Sequence, residues 1–192
     1  MFLGATDPLP HLPRRILIAG SSGAGKTTLA GRIAAVTGIP RQDMDALHWG
    51  PNWTPHADFE DRVRAFAATG SWVCEWNYRQ VKPLLRDRAD TLIWLDYPRP
   101  FVMYRVIRRT FLRRWRREVL WAGNVEPPLR TMFTNDDHVV RYSWLTHDRN
   151  GEQARDVAAE PHITAVRLRS QSDVDRWLAG PLRVVAGNDG DR

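Results

Sequence analysis

Between a short apolar run, Arg14-Arg15-Ile16-Leu17-Ile18-Ala19, and a helical pattern from Lys26 to Val36, the chain carries Gly20-Ser21-Ser22-Gly23-Ala24-Gly25-Lys26-Thr27. Glycine, four residues and then Gly-Lys-Thr, set between a strand and a helix, is the phosphate-loop pattern. Its residue types follow from chemistry. Glycines let the backbone N–H groups turn inward around phosphate oxygens, where side chains would obstruct them. The helix that follows directs its positive end at the anion. Lys26 is placed to reach the β- and γ-phosphates, and the Thr27 hydroxyl to ligate Mg²⁺. The expected ligands are therefore ATP and Mg²⁺, held by Gly20, Ser22, Gly23, Ala24, Gly25, Lys26, Thr27 and Thr28.

The rest of the chain supplies the architecture such a loop needs. Ser71–Glu75, Thr91–Asp96 and Ile163–Leu168 read as further strands. Helical patterns cover 56–68, 81–88, 101–120 with a break near Thr110, 137–158, and 172–178 capped by Ser172. Gly38 and Pro40 end the first helix. Strands alternating with helices predict an α/β fold with a parallel sheet covered on both faces. The length, 192 residues, fits one domain over 14–180, with a Pro-rich N-terminal tail (1–13) and a frayed C-terminal tail (181–192). No apolar stretch is long enough for a membrane span, and the start lacks an export pattern. Cys74, the single cysteine, permits no internal disulfide, and a cytoplasmic location is expected. His138, His147 and His162 have no metal-site spacing and read as surface or packing residues.

A phosphate loop serves several classes. The chain has no Asn-Lys-x-Asp base-reading motif of GTPases, and a small chain opening on its phosphate loop with arginines further on has the layout of a small-molecule kinase. Asp43-Met44-Asp45-Ala46-Leu47-His48-Trp49, Trp72-Val73-Cys74-Glu75-Trp76-Asn77-Tyr78-Arg79 and Asp90-Thr91-Leu92-Ile93-Trp94-Leu95-Asp96 resemble the adenylate-kinase-like P-loop proteins of bacteria, some of which are known as DNA topology modulation proteins. The resemblance spans about Arg14 to Leu178. It implies the nucleoside-monophosphate-kinase fold: a five-stranded parallel sheet, an acceptor-binding segment (about 44–70) and an arginine-bearing lid (about 110–136). It also implies that Asn77, Tyr78 and Arg79 face the acceptor, Arg79 gripping an acceptor phosphate, and that Arg169 lies near the adenine. Glu75-Trp76 stands where the family has Asp-Gly. Glu75 can hold Mg²⁺ through water, whereas Trp76 fills a position where a glycine permits close approach, so a changed pocket or lost activity is an open alternative.

Asp45 is the candidate acceptor-side base, with Asp43 beside it; on an extended segment their odd spacing puts both on one side. Trp49, Trp53 and Trp76, with His48, are candidates for stacking on a planar base or acceptor, against the commoner use of tryptophan in packing. Seven arginines crowd residues 105–117, and Arg105, Arg109 and Arg113 recur at helical spacing. Like charges on one face repel, so an anion is expected there: the transferring phosphoryl group, with Arg141 as a second clamp. Asn135-Asp136-Asp137 reads as a helix cap. The formal net charge of +6 rests almost wholly on arginine, the chain having only two lysines, Lys26 and Lys82. Arginine suits planar anions from nucleotide to duplex. The favoured reading is a kinase acting on a nucleotide or nucleoside. A nucleic-acid-binding, ATP-dependent regulator is the weaker alternative, since no nucleic-acid motif is present. The sequence sets no oligomeric state.

Overall fold

The computed structural model describes residues 1–116, 119–124 and 139–189, without the side chains of 114, 116, 188 and 189. Its frame is one parallel sheet. In chain order the elements are β1 (Phe2–Leu3), β2 (Arg15–Ala19), α1 (Lys26–Thr37), β3 (Arg41–Gln42), α2 (Met44–His48), α3 (Phe59–Ala67), β4 (Trp72–Glu75), α4 (Lys82–Arg88), β5 (Thr91–Leu95), α5 (Arg99–Arg116), α6 (Val139–Val157), β6 (Thr164–Leu168), α7 (Gln171–Trp177) and α8 (Arg183–Asp189). The strand order is β1-β6-β5-β2-β4-β3. β2 therefore lies mid-sheet, Ile16 opposite Val73 of β4 and opposite Thr91 of β5.

A strand with helices on both sides must be apolar on both faces. β2 meets that demand: Ile16 and Ile18 enter one core with Leu29, Ile33, Val174 and Trp177, while Leu17 and Ala19 enter the other with Phe59, Val63, Trp72, Leu85 and Ala154. The period of two along the strand thus distributes one segment between two layers. α1 ends on Gly38 in the left-handed conformation (φ 72°), whose N–H returns to the Ala34 carbonyl at 2.8 Å.

Several expectations change. The sheet has six strands, not five, because β1 pairs in parallel with β6 and Phe2 packs on Trp94 with ring centroids 5.5 Å apart. The N-terminal residues covering an open sheet edge are thus part of the fold. α5 runs unbroken past Thr110, which is buried; apolar contact on this face outweighs the threonine's weak helix preference. α7 is capped by Ser170, not Ser172: the Ser170 hydroxyl accepts from the Asp173 N–H at 3.0 Å. The end of the chain is not frayed through 181–189. A π-helical turn, Leu178–Leu182, leads into α8, and Leu182 is fully buried in the core. Of the expected lid, 110–116 belong to α5 and 117–118 and 125–136 lie outside the described residues, as do Asn135, Asp136, Asp137 and His138. No described helix is long and apolar enough to cross a membrane.

Candidate functional site

The site forms where β2 and β4 end. In the loop after β2, Gly23 and Gly25 take left-handed φ values of 84° and 98°. A Cβ on Gly23 would stand 3.0 Å from Val106 Cγ2 and 3.1 Å from the Val102 carbonyl, so α5 packs directly on the loop backbone. A Cβ on Gly25 would face the Arg105 guanidinium at 3.5 Å, which puts Arg105 at the loop. Lys26 is buried, and its Nζ donates to the Ser21 carbonyl at 3.2 Å.

β4 delivers the second group of residues. The Thr27 hydroxyl donates to the Glu75 carboxylate, Lys26 Nζ lies 3.6 Å from Glu75 Oε2, and Asn77 Nδ2 donates to the same oxygen at 3.1 Å. Register explains the meeting: Glu75 pairs with Ile18, two residues before the loop. A carboxylate and a hydroxyl side by side are the hard oxygen donors Mg²⁺ takes, and they fit the expected ion. Among the described residues no cluster of three or more His, Cys, Asp or Glu exists that would form an all-protein metal site.

Asp45 lies in the first turn of α2, and the Tyr78 hydroxyl donates to its carboxylate. Burial pushes the Asp45 carboxyl up to about 6; the Tyr78 hydrogen bond opposes this, and the neighbouring Glu75 and Asp43 add to it. Tyr78 itself has φ 59°, so the backbone turns back at this point. Asp43 proves to be a cap. The segment is helical rather than extended, and Asp43 Oδ1 accepts from the Asp45 and Ala46 N–H groups at 3.0 and 3.2 Å. Its Oδ2 accepts from Trp121 Nε1 at 3.2 Å.

Trp49 and Trp53 meet edge to face at 5.5 Å and 84°, rather than as two parallel walls of a clamp. Both sit in a loop held from across the chain. The Asn124 amide donates to the Gly50 carbonyl and accepts from the Trp53 N–H, each at 2.9 Å. His48 is buried against Tyr78 and Phe59, with ring centroids at 4.1 and 4.6 Å, and burial holds its pKa below the ordinary value. Trp76 is a packing residue of the second core, its indole N–H donating to the Lys82 carbonyl at 3.2 Å.

Arg109 and Arg113 lie one and two turns beyond Arg105 on α5, partly buried; Arg79, Arg141 and Thr28 are exposed. Arg169 is exposed at the end of β6, its N–H bonded to the Asp173 carboxylate at 2.8 Å. The sequence pattern predicts a helix over 137–158, which α6 matches, but misses that this helix touches the glycine loop. Ser143 Oγ donates to the Ser22 carbonyl at 3.2 Å, and His147 Nδ1 lies 3.0 Å from Ser21 Oγ, so two residues one turn apart brace the glycine loop. Their four-residue spacing marks one helical face, but its target could not be read from it.

No family profile matches the chain, and no curated protein matches it in sequence. Solved structures match its fold. A gluconokinase from Sinorhizobium meliloti 1021 is 20% identical with a TM-score of 0.53, covering 94% of this chain and 98% of that one. A shikimate kinase from Bacteroides thetaiotaomicron is 14% identical with a TM-score of 0.50, covering 87% and 95%. The chain shares the fold of these two kinases.

Proposed function

We propose that this chain is an ATP-dependent kinase that transfers the γ-phosphoryl group to a hydroxyl of a small acceptor. The observation that carries the reading is Asp45, a half-buried carboxylate held by Tyr78 with its pKa raised to about 6, near the Lys26–Thr27–Glu75 group at the mouth of the phosphate loop. A base whose pKa lies near the working pH combines an ionised fraction with enough basicity to take a proton.

In the proposed reaction the loop N–H groups and Lys26 hold the phosphates, with Arg105 over the loop. Mg²⁺, held by Thr27 directly and Glu75 through water, would neutralise charge on the phosphate oxygens. Asp45 accepts the acceptor's hydroxyl proton as the new O–P bond forms, and ADP leaves with the electrons of the broken bond. Tyr78 keeps the Asp45 carboxylate aimed. Arg109 and Arg113 are assigned to the transferring group, Asn77 and Arg79 to the acceptor, with Arg141 beyond them, and Arg169 to the base of ATP. A nucleotide or nucleoside is the first acceptor to test, from the adenylate-kinase-like motifs; sugar acids come next, from the names of the structures sharing the fold.

The test is ADP release from Mg-ATP with and without nucleoside monophosphates, nucleosides and hydroxy acids. Strong stimulation by one acceptor, abolished in Asp45→Asn with ATP binding intact, is the expected result. ATP binding without stimulated turnover by any of them would sink the reading.

A further inference from the structure

One of the two lysines in the chain is Lys26 of the glycine loop. The other, Lys82, opens α4 just after Asn77-Tyr78-Arg79, and its surroundings are unusual for a lysine. Its ammonium is half-buried, lies 4.4 Å above the centre of the Trp76 ring, and donates to Gln153 Oε1 at 2.6 Å. Gln153 is on α6, the helix braced on the loop through Ser143 and His147. One turn before Gln153 on that helix is Arg149, so the same side presents a guanidinium next to the amide. The charges that act on Lys82 are those of Arg149 and Lys26, both cations; they reinforce burial in pushing its pKa down to about 8.

A partly desolvated ammonium beside two other cations is unfavourable unless an anion joins them. Trp76 and Gln153 do not supply that charge; they hold the ammonium in place. Gln153 spends its oxygen on Lys82, which leaves the N–H₂ end of the same amide as a donor. A carboxylate or phosphate needs such a set: a point charge, a planar fork and a neutral donor.

Given the kinase reading, we propose that Lys82, Arg149 and Gln153 form a subsite for an anionic group of the acceptor. The acceptor is then a hydroxyl-bearing acid, a carboxylate or a phosphomonoester, rather than a neutral alcohol. Trp76, in place of a small residue, becomes the platform that positions Lys82.

With only two lysines, the wild-type protein reports on both sites at once. Amine acylation is followed by peptide mass spectrometry at constant ionic strength. The probes are a non-hydrolysable Mg-ATP analogue and two matched pairs, gluconate against glucitol and cytidine monophosphate against cytidine. Pairing with an anion raises a lysine pKa by about one unit or more, so reactive free amine falls about tenfold. The expected result is slowed labelling of Lys26 by the nucleotide, and about tenfold slower labelling of Lys82 by the charged member of one pair only. Which pair responds identifies carboxylate or phosphate. Lys26 protected by nucleotide with Lys82 indifferent to both charged probes would overturn the subsite alone. Lys26 unprotected by nucleotide would overturn the kinase reading and the subsite with it. In Lys82→Met, which keeps an apolar chain over Trp76, KM for the responding acid should rise about tenfold or more while KM for ATP holds, since one charge-assisted contact to the anion is lost. Equal changes in both KM values would count against the assignment.

Discussion

At the scale of single residues, Asp45 makes the sharpest predictions. If it is the base, kcat/KM should fall as pH drops through about 6, where its carboxyl takes up a proton. The stability consequence runs in a defined direction. Its folded pKa lies above the ordinary carboxylate value, so ionised Asp45 opposes folding: the cost is complete above about pH 6 and vanishes below about pH 4. Asp45→Asn should therefore raise stability by up to about 3 kcal/mol at neutral pH and by almost nothing in acid, while losing turnover. Thermal unfolding of both proteins at both pH values checks this; a stability difference from wild type that is the same at the two pH values would show that the wild-type carboxyl is not raised. Trp76 makes a second, opposite prediction. Placing a glycine at this position should not open a pocket for ligand, because the side chain lies in the core under Lys82. Trp76→Gly should cost about 3–5 kcal/mol, measurable by denaturant unfolding.

At the scale of elements, the contacts that shape the site lie between segments far apart in sequence. The short turn Trp121–Gly123 and the buried Asn124 dock on the loop carrying Trp49 and Trp53, and Trp121 bonds to the α2 cap. Asn124→Leu leaves the Gly50 carbonyl and the Trp53 N–H without that partner. It should cost about 1–3 kcal/mol and weaken acceptor affinity more than ATP affinity, which paired KM measurements resolve. The packing of α5 on the loop makes the converse prediction. Gly23→Ala forces a Cβ against Val102 and Val106 at a left-handed φ, so ATP binding should fall first. Calorimetric titration with a nucleotide analogue checks it. These elements explain why legibility was uneven. The loop, α1 and its Gly38 stop are local events that a few adjacent residues dictate, and they were readable. That Asp43 caps α2 and that Ser170 rather than Ser172 caps α7 are also local, two- or three-residue hydrogen bonds, misread because neighbouring residues offered the same chemistry; that α5 continues past Thr110 depends on the packing that buries that face.

At the scale of the molecule, the parallel order β1-β6-β5-β2-β4-β3 brings the ends of β2 and β4 together, and with them Thr27 and Glu75, 48 residues apart. The termini serve that sheet: Phe2 covers Trp94 at one edge, and Leu182 fills the core beneath α1 and α7. Deleting residues 1–4 should expose the β6 edge and lower Tm by a few degrees, on the order of 1 kcal/mol, without a large change in ATP affinity. Local chemistry alone determined the α/β class, the glycine loop and its helix, and the motif segments that carry Asp45, Glu75 and Asn77-Tyr78-Arg79, because each is a pattern of neighbouring residues with one physical solution. Tertiary structure alone decided that Asp45 is half-buried with Tyr78 bonded to it, that α6 braces the loop, that Lys82 lies over Trp76 beside Gln153, and that Phe2–Leu3 and Leu178–Leu182 belong to the fold. Those are meetings across long stretches of chain, where spacing names a face but only packing selects what that face touches.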